Sequence, residues 1–146
     1  MKSILAASAI ALLMVGSYGA TAAEHEVRML NKGKKGAMVF EPDFVRAAPG
    51  DTIHFVATDK THNAETIKGM LPAGAGAFRS KTSENFTVTL TKEGVYGIKC
   101  TPHYTMGMVM LVVVGKPVNL EAAREVRHPG LARGRFETIF KNLVRN

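Results

Sequence analysis

The run Cys100-Thr101-Pro102-His103-Tyr104-Thr105-Met106-Gly107-Met108 gathers a thiol, an imidazole and two thioethers within nine residues. Cys100 is the only cysteine of the 146-residue chain, so no internal disulfide can use it. Soft sulfur donors beside an imidazole suit a single redox-active copper ion. Two imidazoles and one thiolate make its trigonal plane, and a methionine adds a weak axial bond. Coordination also accounts for the unpaired thiol, because a bound metal holds the sulfur as thiolate. Structural zinc fits less well, since it closes with thiolates and imidazoles and a methionine would be an odd fourth ligand.

Cys100 and His103 are the local in-plane candidates, and the second imidazole must come from His25, His54, His62 or His128. His62 is the best placed. It lies in Thr58-Asp59-Lys60-Thr61-His62-Asn63, a loop that follows a strand and can present a ligand at one end of a sheet. His54 alternates against Ile53 and Phe55, which puts it on the opposite, solvent-facing side. His25 near the N-terminus and His128 beside Pro129 read as solvated or capping residues. For the axial position, Met106 gives Cys-x2-His-x2-Met and Met108 gives Cys-x2-His-x4-Met. Gly107 relaxes the backbone where the loop must return, which favours Met108. Met110 is already inside the next strand and reads as core.

These residues need a frame of strands. Residues 1–22 read as a secretory signal peptide: Lys2, an apolar run over 4–15, and the small-x-small Ala20-Thr21-Ala22. Cleavage is expected after Ala22, leaving about 124 residues as one domain with room for a core. Short strands are expected at 27–30, 38–40, 42–46, 52–56, 85–90, 95–99 and 108–114. Turns such as Ala48-Pro49-Gly50-Asp51 and Lys92-Glu93-Gly94 separate them. Residues 58–81 form a long irregular stretch of the kind that carries function. Asn119 is an expected N-cap for a helix to about residue 127, ended by His128-Pro129-Gly130. A second helix over 131–143 would stack Phe136, Ile139, Phe140 and Leu143 on one face. The expected class is all-β, an antiparallel Greek-key β-sandwich over 23–115 with two C-terminal α-helices packed on it over 116–146.

The formal charge is +7, and removal of the leader takes away one lysine and no acid. No basic helix or Gly-rich phosphate loop accompanies that charge, so nucleic acid is not the expected partner. The charge suits steering of an acidic protein. Periplasmic localisation, no membrane contact after cleavage, and a monomer are the matching expectations.

The chain resembles the cupredoxins and, within them, the pseudoazurins. The residues that carry the likeness are Val27 to Gly33, Gly36-Ala37-Met38-Val39-Phe40-Glu41-Pro42, Pro49-Gly50-Asp51, Thr58-Asp59-Lys60 with His62-Asn63, Cys100-Thr101-Pro102-His103 and Met106-Gly107-Met108-Val109. The resemblance implies a cupredoxin-like sandwich with one type 1 copper ion held by His62, Cys100, His103 and Met108, the shorter spacing to Met106 being the amicyanin pattern. It implies an electron carrier rather than an enzyme, with a denitrification acceptor such as copper nitrite reductase, or a cytochrome c, as transient acidic partner. Thr105 departs from the glycine usual there and stiffens the loop. A copper chaperone or storage protein is the competing reading, with Met106, Met108 and Met110 in its favour. A copper enzyme would need an open coordination position or a second metal.

Overall fold

In the computed structural model, which describes residues 19–145, eight strands form two four-stranded sheets. They are β1 (Glu24–Gly33), β2 (Gly36–Glu41), β3 (Phe44–Ala47), β4 (Thr52–Val56), β5 (Glu65–Thr66), β6 (Phe86–Thr89), β7 (Gly94–Lys99) and β8 (Val109–Val114). Helices α1 (Leu120–Glu125) and α2 (Leu131–Arg145) follow. One sheet has the order β2-β1-β4-β6 and the other β3-β8-β7-β5. Most of the expected leader lies outside the described residues.

The sandwich is as the sequence implies, but its pairings are not antiparallel throughout. β1 runs parallel to β4 and β3 parallel to β8, while the remaining pairs are antiparallel. β1 is ten residues long rather than a short segment, because it pairs with β2 on one side and β4 on the other. β5, two residues within the long irregular stretch, has no periodicity to announce it.

β8 is apolar at all six positions because both its faces are covered. Met110, Val112 and Val114 point between the sheets, with Val27, Ile53, Phe55, Tyr96 and Ile98. Val109, Leu111 and Val113 point the other way, against Phe136, Ile139, Phe140 and Leu143 of α2. The stripe at i, i+3, i+4 and i+7 thus buries four large side chains, each contributing about 1.5–3 kcal/mol on transfer from water. The sandwich has a third layer.

Three local expectations change. Asn119 does not cap α1 with its side chain. Its Oδ1 accepts from the Val95 amide at 2.6 Å and its Nδ2 donates to the Val95 carbonyl at 2.9 Å, fastening the helical segment to β7. α1 also stops at Glu125, where Val126 turns to extended backbone. His128 is half-buried rather than freely solvated: Tyr104 Oη lies 2.7 Å from its Nδ1, and its ring packs 4.3 Å from that of Phe136.

Candidate metal centre

Strand parity delivers the two sulfur positions. Tyr96 and Ile98 of β7 face the inter-sheet core, so Cys100, two residues on, faces it too. Met110 and Val112 of β8 do the same, which places Met108 on that face. The Cys100 amide donates to the Met108 carbonyl at 2.9 Å, so the β7–β8 ladder continues between them. Cys100 and Met108 are both fully buried, whereas Met106 is 42% exposed on the loop.

The loop between them is short and heavily bonded. Thr101–His103 form a 3-10 turn with Pro102 near its start. The His103 carbonyl accepts from the amides of Met106 and Met108, each at 3.1 Å. Gly107 makes the return at φ +88°, in the left-handed region. A Cβ there would also lie 3.0 Å from Arg135 Cδ.

His62 enters from the loop before β5, where Thr61 holds φ +73° and its amide donates to Ser83 Oγ at 2.8 Å. His62 is fully buried. Its Nδ1 lies 3.1 Å from His103 Nδ1 and 3.7 Å from Cys100 Sγ, and His103 Nδ1 lies 3.4 Å from that sulfur. Among the described residues this is the one cluster of three such donors that converges on a common point. Donor separations of this size suit a metal about 2.0–2.3 Å from each nitrogen and sulfur. The donor set is soft, nitrogen and sulfur only, with Met108 beside it in the buried core. That chemistry fits copper.

The surroundings fix each ligand. Asn31 Oδ1 accepts from His62 Nε2 at 2.8 Å, which leaves the Nδ1 lone pair for the metal. Asp59 in turn accepts from the Asn31 amide at 2.7 Å. Burial, with His103 nearby, pushes the His62 imidazole below its ordinary pKa, opposed by Asp59. It is therefore neutral and able to ligate at neutral pH. Burial pushes the Cys100 thiol up, while hydrogen bonds from the backbone of Asn63 and His103 pull the other way. The Met108 amide is taken by the His103 carbonyl.

Asn63 joins the two ligand loops. Its Oδ1 accepts from the Thr101 amide at 2.7 Å and its Nδ2 donates to Thr101 Oγ1 at 3.0 Å, while Thr101 Oγ1 donates to Glu65 at 2.5 Å. Sequence reasoning missed Asn31, because a turn-type asparagine 31 residues before His62 gives no pattern that pairs them. His25 lies outside the cluster, bonded to Asp51 at 2.8 Å, and His54 Nδ1 lies 2.7 Å from Thr87 Oγ1 across the β4–β6 pair.

His103 alone of the three clustered donors is only half buried. Its loop neighbours Pro102 and Met106 are exposed, as is Ala37, and Met38 is half-buried. Lys32 adjoins Asn31, and Lys60 stands two residues before His62; both are exposed. Arg79 and Lys99 approach Glu65 at 3.8 and 4.0 Å, and the Lys99 ammonium sits 5.0 Å over the Tyr104 ring.

The family model for copper binding proteins of the plastocyanin/azurin family matches residues 27–115. The pseudoazurin of Paracoccus pantotrophus is 58% identical over 134 residues, covering 91% of this chain and 92% of that one. That of Methylorubrum extorquens is 48% identical over 143 residues, 97% of each. Among solved structures, pseudoazurin from Methylobacterium extorquens AM1 superposes with a TM-score of 0.80 at 53% identity, covering 82% of this chain and 98% of that one. Native pseudoazurin from Hyphomicrobium denitrificans gives 0.76 at 47% identity, covering 79% and 94%. With His62, Cys100, His103 and Met108 gathered at the end of a cupredoxin sandwich, the chain belongs to the plastocyanin/azurin family of copper-binding proteins and, within it, to the pseudoazurins, blue copper electron carriers.

Proposed function

We propose that this chain is exported, processed after Ala22, and works in the periplasm as a monomeric one-electron carrier rather than as an enzyme. The acceptor on this reading is a denitrification enzyme such as copper nitrite reductase, and a cytochrome c is a second partner of the same acidic kind. A bound copper ion supplies the Cu(II)/Cu(I) couple. Every other requirement falls on the chain. Asn31 holds the His62 tautomer, the Asn63–Thr101 pair locks the two ligand loops together, and buried Cys100 and Met108 exclude water from the sulfur donors. A frame fixed before the metal arrives changes little between oxidation states, which keeps electron transfer fast.

The observation that carries this reading is the enclosure of the donor set, with only the edge of His103 near solvent. Small transient interfaces suit such an exit, where steering counts for more than affinity. The same enclosure speaks against copper trafficking, which needs donors that a partner can reach. The leader features, Lys2, the apolar run and Ala20-Thr21-Ala22, support export.

Copper-loaded protein is expected to show intense thiolate-to-copper absorption in the visible and a reversible one-electron wave. Cys100→Ser is expected to abolish the band and move or remove the wave. A spectrum and voltammogram unchanged by that substitution would refute the assignment.

A further inference from the structure

The apolar ground beside His103 does not stop at the ligand loop. Met106 is 42% exposed, and Leu131, the first residue of α2, is 66% exposed. Leu131 stands over Gly107, the residue after Met106: an added Cβ there would lie 3.2 Å from Leu131 Cβ. The Leu131 amide donates to the Thr105 carbonyl at 2.9 Å, so the helix start is bonded to the loop itself. One turn on, Arg135 donates to the carbonyls of Ala37 at 2.8 Å and Met38 at 2.9 Å. Met106, Leu131 and exposed Ala37 therefore belong to one surface, joined through Gly107 and Arg135.

Beside Leu131 lies an open concavity of about 400 Å3 walled by Lys35, Asp43, Gly134, Arg135 and Thr138. Its charges do not cancel. Lys35 pairs with Asp43 at 2.6 Å. Arg135 gives its hydrogen bonds to neutral carbonyls and, among the described residues, has no carboxylate partner.

We propose that the docking face continues from the ligand loop onto the first two turns of α2, where an acidic redox-protein partner lays an apolar side chain on Leu131 and points a carboxylate at Arg135. This rests on the electron-carrier reading above. Charge selects the occupant: a second copy of this chain would bring the same strong excess of positive charge against this surface, whereas an acidic protein is attracted to it. A planar guanidinium already oriented by two carbonyls loses little entropy on meeting a carboxylate.

The test measures second-order electron transfer from the reduced, copper-loaded protein to a purified copper nitrite reductase by stopped-flow, for wild type, Leu131→Ala, Leu131→Asp and Lys32→Glu. Asp at the first position of α2 favours the helix through its dipole, so Leu131→Asp removes the apolar contact without threatening the fold. The visible band, reduction potential and melting temperature of each variant are measured alongside and are expected to match wild type for both Leu131 variants. Expected are roughly threefold slower transfer for Leu131→Ala and roughly tenfold for Leu131→Asp. If Lys32→Glu slows transfer while Leu131→Asp runs at the wild-type rate, the extension onto α2 is overturned and the docking of an acidic partner stands. If neither slows it, both fall. Concentration-dependent dimerisation abolished by Leu131→Asp would replace the acidic partner with a second copy and overturn the proposal.

Discussion

Asn31 decides which nitrogen of His62 is free. An imidazole has one donor and one acceptor nitrogen when neutral, and the Asn31 carbonyl oxygen claims the donor at 2.8 Å. Without it, the ring is free to flip tautomer or rotate, and Nδ1 no longer aims at the metal by default. Loss of such an outer partner costs about 10–100-fold in metal affinity. Asn31→Ala is therefore expected to release copper to a competing chelator at about 10–100-fold lower chelator concentration, with the visible band kept while copper is bound. An unchanged release curve would make Asn31 a bystander. At this scale the chemistry-bearing residues of the Cys100–Met108 segment were legible, because their types are rare and their spacing is local. Asn31 and Glu65 were not, since hydrogen bonds between distant loops leave no trace in spacing.

At the scale of elements, strand parity explains why reading alternation reached the site. Cys100 and Met108 face inward for the same reason as Ile98 and Met110. The stripe on α2 was legible for the matching reason, a 3.6-residue period. What was not legible is how elements are fastened: Asn119 looks like a cap and serves as a clamp on β7. Asp51 is another fastening. Its carboxylate accepts from His25 at 2.8 Å and from the backbone nitrogens of Ala48 at 2.9 Å and Ala23 at 2.8 Å, binding the start of β1 to the turn before β4. The His25 hydrogen bond, then those from the backbone of Ala48 and Ala23, lower its pKa to about 2. A carboxylate held below its unfolded value stabilises the fold above about pH 4 and loses that contribution as pH falls toward about 2. Asp51→Asn is thus expected to melt several degrees below wild type at pH 7, with the gap closing between about pH 4 and pH 2. A gap that stays constant over that range would exclude Asp51 ionisation as its source.

Over the whole molecule, charge is distributed unevenly relative to the electron exit. Lys32 and Lys60 stand at the copper end, bound to the ligand loops by sequence and free of carboxylate partners among the described residues. Lys116 carries the same charge beyond the far end of β8, a six-residue strand that spans about 20 Å. Net charge is blind to this difference, but a partner approaching His103 is not. Lys32→Glu or Lys60→Glu is expected to slow association with an acidic redox partner several-fold at about 0.1 M ionic strength. Lys116→Glu alters net charge equally and is expected to do much less, because 20 Å is about two screening lengths at 0.1 M ionic strength. Raising the salt toward 1 M shortens that length to about 3 Å and should bring all three variants close to wild type. Equal slowing by Lys116→Glu would mean that total charge governs the encounter. Slowing by Lys32→Glu that survives high salt would mean that the lysine makes a contact instead of a field.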